Sequence, residues 1–265
     1  MRERSRFNYK LIIAILCITI ALETLWIISL LRQTKKILPK RVLGKIAIVL
    51  DDWGYNLGDL DLLEEIKYPL NISVLPNLAY SQEVAKKIRK KGWELILHLP
   101  LEPQSNEYLR LEHDTIMTDM QPPKIREMLL RAINDVPYIK GVSNHMGSKA
   151  TQDLRAMQVI FKELKKKRLY FLDSQVSPDS VSADLARKMR IKFVKRDVFL
   201  DNEERPDYIK GQLMLLRLKA LRNGEAVGIG HDRRVTLQVL KEVMPILARE
   251  GFKFVFVSKL AKVPK

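Results

Sequence analysis

Cysteine is nearly missing from this chain. The one present, Cys17, leaves no partner for an internal disulfide and no thiolate set for a metal site. Histidine is scarce, with four residues. No Gly-x-Ser-x-Gly elbow occurs, so Ser143, Ser148 and Ser174 have no hydrolase-type strand-to-helix turn behind them. Gly228 and Gly230 follow an apolar run, but Arg233 stands where a dinucleotide loop needs its third glycine. There is no internal repeat and no low-complexity segment. Acidic residues are short at the start: residues 1–45 hold 10 Lys and Arg against 2 Asp and Glu, and the remainder holds 37 against 29. Half of the net +16 therefore surrounds one apolar run, which favours a membrane surface over a nucleic-acid footprint. Basic runs such as 162–168 read as solvated helix faces, with no aromatic-interleaved groove, and no nucleic-acid partner is expected.

What is present begins with a basic leader, residues 1–10, carrying Arg2, Arg4, Arg6 and Lys10. Residues 11–31 are apolar except for Thr19, Glu23, Thr24 and Ser29. At 1.5 Å per residue this segment could cross a hydrocarbon core of roughly 30 Å. A signal peptide is the alternative, but no small-x-small cleavage site follows, and an uncleaved anchor is expected. Charge sets the orientation poorly, because Arg32, Lys35, Lys36, Lys40 and Arg41 crowd the other flank. Residues 32–44 read as a basic linker. Hydrophobic content of 46% and charged content of 29% then suit a globular domain over 45–265.

From Lys45 the pattern alternates. Strands are expected near 45–50, 70–75, 93–98, 139–143, 169–172, 191–195, 226–230 and 252–257. Helices are expected near 58–67, 80–91, 122–135, 151–167, 180–189, 206–223 and 234–250. Ser81, Pro122-Pro123 and Thr151 mark helix starts, and Gly92, Gly224 and Gly251 mark helix ends. Eight such repeats predict an α/β fold, an irregular (β/α) barrel of seven to eight strands. Ile46, Ile48, Leu50, Ile72, Val74, Leu95, Leu97, Val142, Phe171, Val227, Ile229 and Val255 are the expected core.

In such a barrel the site lies at the C-terminal ends of the strands. There the sequence places Asp51-Asp52, His98, Asn144-His145, Asp173 and Arg196-Asp197. His231-Asp232 follow the seventh strand. Three of the four histidines fall at predicted strand ends, joined by acids. That set suits zinc or a similar divalent ion with a position open for water. Two adjacent carboxylates can divide the labour, one as ligand and one as base, if the turn at Gly54 brings both to one cavity.

The motif order resembles the polysaccharide deacetylases, and more closely their divergent, bacterial envelope-associated branch, over about 45–260. The segments carrying the resemblance are Leu50-Asp51-Asp52-Trp53-Gly54-Tyr55, His98-Leu99-Pro100-Leu101-Glu102-Pro103, Asn144-His145-Met146-Gly147-Ser148, Phe171-Leu172-Asp173-Ser174, Arg196-Asp197-Val198-Phe199-Leu200-Asp201-Asn202 and Ile229-Gly230-His231. The resemblance implies Asp51 as general base, Asp52 and His98 as metal ligands and His231 as general acid. The family's second metal-binding histidine falls on Glu102, a departure. Glu102 could ligate directly, His145 could supply the missing nitrogen, or the metal could be lost; His145 is favoured, leaving Glu102 to orient His98 or contact substrate.

The resemblance further implies removal of N-acetyl groups from a cell-envelope polysaccharide, a peptidoglycan-type glycan, by a domain anchored through 11–31 outside the cytoplasm. Asp173, Asp197 or Asp232 would hold His231 charged, with Asn144 and Arg196 in support. An alternative from another class is a glycan-binding or scaffolding protein on the same fold. Trp53, Tyr55 and Tyr108 are candidate sugar platforms, and the 101–121 connection a candidate lid.

Overall fold

A computed structural model describes residues 2–37, 42–104 and 111–265. The chain divides into two compact units, 1–41 and 42–265. The first contains one helix, α1 (Arg2–Ile37). Its segment Leu11–Leu31 is long and apolar enough to cross a membrane, with a mean hydropathy of 2.6. Two of its hydroxyls are satisfied by the helix itself, Thr19 on the Leu16 carbonyl and Thr24 on the Ala21 carbonyl. Internal pairing of this kind is what an apolar medium demands of polar groups.

The second unit alternates strand and helix. The strands are β1 (Gly44–Trp53), β2 (Asn71–Val74), β3 (Glu94–Leu101), β4 (Gly141–Met146), β5 (Tyr170–Asp173), β6 (Phe193–Lys195), β7 (Val198–Phe199), β8 (Glu225–His231) and β9 (Phe252–Phe254). The helices are α2 (Leu60–Glu64), α3 (Ser81–Lys90), α4 (Pro122–Asp135), α5 (Leu154–Lys167), α6 (Ser182–Met189), α7 (Pro206–Asn223) and α8 (Arg234–Glu250). The sheet is parallel and ordered β6-β5-β4-β3-β2-β1-β8-β7, with β9 beside the start of β1. The path curls into a half-barrel in which β6 and β7 are the two edges. The expected barrel is thus present, with the two-residue β7 added.

Punctuation explains the helix limits. Proline occupies the first turn of α4 and α7, where a missing N–H costs nothing. Gly224 and Gly251 end α7 and α8 in the left-handed region that favours glycine. Helix α3 begins at Ser81 as expected, whereas α5 begins at Leu154 rather than at Thr151. Ser81 does not cap α3; its hydroxyl bridges the Leu78 amide and the Leu75 carbonyl in the preceding turn. Asp153, not Thr151, caps α5 by accepting from the Ala156 amide. Strands β3 and β4 also run further than expected. Pro100 reads as a stop, yet β3 continues to Leu101, held by β4 on one side and by a bridge to Ile116.

Alternation along the strands sorts the core into two layers. Ile46, Ile48, Leu50, Leu95, Leu97 and Phe171 pack outward among the helices. Ala47, Val49, Ile96, Leu172, Val227 and Ile229 face inward and pack together without helix residues. Val255, Val257, Leu260 and Ala261 from the C-terminal segment join this inner cluster. Val257 also donates its amide to Asn71 Oδ1 at 2.8 Å, so the segment plugs the barrel's N-terminal end. All twelve expected core residues are buried. Each fully buried large aliphatic contributes roughly 1.5–3 kcal/mol. Both clusters lie within residues 46–261, so this unit carries its own core.

Candidate active site

The same alternation aims the polar side chains. Ala47 and Val49 face the interior, and Asp51 follows them in phase. Ile96 precedes His98 in the same way, and Ile229 precedes His231. On β4, Val142 packs outward, so Ser143 and His145 face inward. Register completes the cluster: Asp51 lies beside His231 across β1 and β8, and His98 beside Ser143 across β3 and β4. The C-terminal half of the barrel is therefore capped by an ionisable layer, above an apolar one.

Asp52 breaks the rule. One residue beyond Asp51, it would point outward from a regular strand. Its φ is +65°, and the β1–β2 register slips between Leu50 and Trp53. A left-handed residue at such a bulge re-aims its side chain. Asp tolerates that conformation better than most residues. The chain turns at Gly54, φ +127°, as expected, but Asp52 itself re-aims the second acid. Strain of this kind persists where surrounding structure imposes it, and it gathers at functional sites.

Asp52 is the hub. Its Oδ1 lies 3.2 Å from His98 Nε2 and 3.0 Å from His145 Nδ1, and its Oδ2 lies 3.9 Å from His231 Nε2. Burial alone would raise its pKa, but hydrogen bonds from His145 and His98 outweigh that and hold it far below the usual carboxylate range. One donor atom each from Asp52, His98 and His145 falls within 4.8 Å of the others. His98 Nδ1 is 2.8 Å from Ser143 Oγ, which is 2.7 Å from Ser73 Oγ. With an ion bound, Nδ1 would donate to Ser143 and leave the Nε2 lone pair free to ligate it.

Asp51 is buried, and its Oδ1 has no hydrogen-bond partner among the described residues. Burial pushes its pKa up, against the pull of His98. His231 Nδ1 is 2.9 Å from Asp201 Oδ1. Asp201 Oδ2 accepts from the His231 amide and from Thr236 Oγ1. Burial would lower the His231 pKa, but Asp201 outweighs it and raises it. The partner of His231 is therefore Asp201, not Asp173, Asp197 or Asp232. Strand β7 explains the difference: Val198 pairs with Gly228 and Phe199 with Ile229, so the next inward position on that side is 201, facing 231. A two-residue strand carries no pattern that a sequence reading could use.

The other expected site residues are placed as follows. Glu102 accepts from Thr118 at Oε2 and pairs with Lys149 at Oε1, tying its own connection to the loop after β4. Asn144 accepts from the Ser174 amide and donates to the Met146 carbonyl, bracing β4 against the loop after β5. Asp173 takes the Gln175 amide and the Ser180 hydroxyl. Arg196 donates to the carbonyls of Ser174 and Gln175 and stacks over Phe199. Asp197 holds the Val227 amide in the middle of β8. Asp232, beside His231, has its pKa pushed up to about 7 by burial, with Asp59 and Asp52 adding to the effect. Trp53 is wholly buried, so it packs rather than offering a sugar platform. Tyr55 is exposed and its hydroxyl bonds Glu112, while Tyr108 lies outside the described residues. Ser73, Ser143, Asp201 and Thr236 are the supporting residues that sequence reasoning missed. Two had a signal: Ser143, by its spacing of two from His145, and Asp201, by its place in the quoted segment 196–202.

Comparison with known proteins adds to this geometry. A profile of the family described as "Divergent polysaccharide deacetylase" matches residues 48–261. The uncharacterized protein YibQ of Escherichia coli (strain K12) is 35% identical over 201 residues, 76% of this chain and 62% of its own length. Among solved structures, the uncharacterized protein ATU2773 of Agrobacterium tumefaciens C58 superposes with a TM-score of 0.79 at 23% identity. The match covers 82% of this chain and 89% of that one. The Bc1960 peptidoglycan N-acetylglucosamine deacetylase superposes with a TM-score of 0.51 at 12% identity, covering 86% and 92%. At these identities the structural likenesses establish the fold.

Proposed function

The chain belongs to the divergent polysaccharide deacetylases, and on that premise we propose that it is a metal-dependent hydrolase removing N-acetyl groups from a peptidoglycan-type envelope glycan. One observation carries the reading: Asp51, Asp52, His98, His145 and His231 converge at the C-terminal end of the barrel. The fold shared with a peptidoglycan deacetylase supports the substrate class.

The residues fit a divalent ion. Two imidazole nitrogens and one carboxylate oxygen make a three-donor set suited to zinc, and such sets leave positions open for water and substrate. Asp52, His98 and His145 would hold it. Glu102, engaged by Thr118 and Lys149, stabilises the connection after β3 in this reading. When bound, the ion supplies Lewis-acid polarisation of the water and the acyl carbonyl.

The protein's own groups move the protons. Asp51 Oδ1, buried and unpartnered, accepts one from the attacking water. Burial, which raises its pKa, makes it a stronger base than a solvated carboxylate. His231 Nε2 delivers a proton to the amine nitrogen as the C–N bond breaks, and acetate leaves. Asp201 fixes the tautomer and orientation of that imidazole and keeps it charged. The two roles require opposite states: Asp201 keeps His231 protonated, while the nearby His98 pulls Asp51 toward the ionised form against the effect of burial.

Leu11–Leu31 anchors the chain in this reading, with the barrel on the side of the membrane where envelope glycan lies. The test uses residues 42–265, purified without chelator. One equivalent of metal is expected, with acetate released from N-acetylated glycan strands. Asp51→Asn should keep the metal and lose acetate release. Full metal and tight glycan binding without acetate release would instead make this a glycan-binding protein.

A further inference from the structure

The two ends of the barrel carry opposite charge. In the connections from strand to helix, at the site end, eleven of the described residues are Asp or Glu and three are Lys or Arg. In the connections from helix to strand, at the other end, six are Lys or Arg and one, Glu65, is acidic. The C-terminal segment that plugs this second end adds Lys259, Lys262 and Lys265 and no acid. Cations in the last turns of helices complement the helix dipole, which accounts for Lys165, Lys166 and Lys167. It does not account for the loops beyond them.

Three details show a built surface. First, Lys165, Arg168, Arg190 and Lys192 line one hollow of ≈ 310 Å³ together with Leu169 and Ile191. No carboxylate pairs with any of these four cations among the described residues. Second, Arg168 and Arg190 sit in the left-handed conformation, φ 57° and 56°, at helix ends where glycine is favoured. The chain keeps a cation there in spite of the backbone. Third, a neighbouring hollow combines Trp93, Tyr138 and Phe256 with Arg89, Lys140 and Lys259 around one buried acid, Glu94. Tyr138 is exposed and Arg89 stacks on its ring at 3.6 Å. Amphipathic aromatics interleaved with cations are the mixture found at membrane–water interfaces.

The chain also enters the unit at this end, since Val42 and Leu43 lead straight into β1. Twelve residues, 32–43, separate the apolar segment from Gly44, and with 32–37 inside α1 they reach at most about 30 Å. That tether keeps the unit near a bilayer, but is too long to choose which end meets it. The charges choose. We propose that the basic end of the barrel docks on anionic phospholipid headgroups, with the hollow of Arg168, Arg190 and Lys192 seating a phosphate, so that the active site faces away from the membrane. This rests on the anchoring reading above.

The test is cosedimentation of residues 42–265, which carry the whole core, with vesicles of phosphatidylglycerol and phosphatidylcholine or of phosphatidylcholine alone. Binding to the anionic vesicles only, reversed by raised salt, is expected. At about five-fold per cation, the combined variant Arg168→Asn, Arg190→Asn, Lys192→Gln should bind roughly 100-fold more weakly. Asn is chosen at 168 and 190 because it tolerates the left-handed backbone. Lys140→Gln with Lys259→Gln, in the neighbouring hollow, is expected to weaken binding independently. Glu203→Gln with Glu204→Gln, at the opposite end, should leave it unchanged. Equal binding to both vesicles, wild-type binding by both cation variants, or capture by soluble polyphosphate with no vesicle binding would each overturn the proposal. If the full chain resists a salt wash of membranes while 42–265 ignores anionic vesicles, this surface is wrong and the anchor stands. The reverse pair of results would keep the surface and remove the anchor.

Discussion

His98 on β3 and His231 on β8 flank Asp52, one facing its Oδ1 and the other its Oδ2. Both rings are inward, strand-borne and tethered at Nδ1. They differ in the tether. His98 meets the Ser143 hydroxyl, itself relayed to Ser73, and a hydroxyl brings no charge to the ring. His231 meets Asp201, a buried carboxylate held by Thr236 and by the His231 amide. The group on Nδ1 thus divides the work of Nε2. In the proposed mechanism it is a lone pair for an ion on one side and a proton to give away on the other.

Breaking each side separately should separate the two roles. The largest effect is expected from the base between them: Asp51→Asn should lower acetate release on the order of 10³-fold while metal content stays at the wild-type level. Metal lost along with activity would show that Asp51 is a ligand. Next, His98→Ala should lose the metal, whereas His231→Ala should keep it and lose about 10²-fold or more in turnover. Equal metal loss in both would erase the distinction.

Asp201→Asn sharpens the comparison through pH. Asp201 raises the His231 pKa, and the acid acts only while protonated, so activity should fall as pH rises through that raised pKa. Without the carboxylate the fall should come at lower pH, with the metal retained. An unmoved alkaline limb would mean that another group is the acid. The same sign governs stability. The His231–Asp201 contact should stabilise the fold fully below the unfolded histidine pKa and be lost as pH rises through the folded one. Ser143→Ala should leave the pH profile alone and weaken metal affinity about 10–100-fold, measured by chelator competition.

The smallest effect concerns the bulge that lets Asp52 serve both sides. In metal-free protein, Asp52→Gly should be more stable to denaturant than Asp52→Ala by about 1 kcal/mol, because only glycine accepts φ +65° freely. Equal stabilities would show that the backbone relaxes once the carboxylate is gone.

Much of this was readable from the chain. The expected limits of α4, α7 and α8 coincide with those observed, because proline and glycine bracket all but the first residue of α8. The inward phase of His98 and His231 is written in the apolar residues two positions before them. Other parts were hidden by their nature. Helix α2 was expected over 58–67 and spans Leu60–Glu64, because the chain after it tightens into bonds from Glu65 to Leu62 and from Ile66 to Leu63. Trp53 looked like a mouth residue from its place after two acids, yet the register slip turns it into the core.

The sequence by itself determined the alternating elements, the apolar inner and outer faces, and the set of acids and histidines near the strand ends. Local patterns suffice for these, because side-chain periodicity and turn residues act over a few positions. Only the tertiary structure decided that Asp52 reverses its direction and that Asp201 holds His231. It also decided that scattered lysines and arginines gather on the end opposite the site. Each depends on which distant segments become neighbours, and that is settled by strand register and the curl of the sheet rather than by any local run of residues.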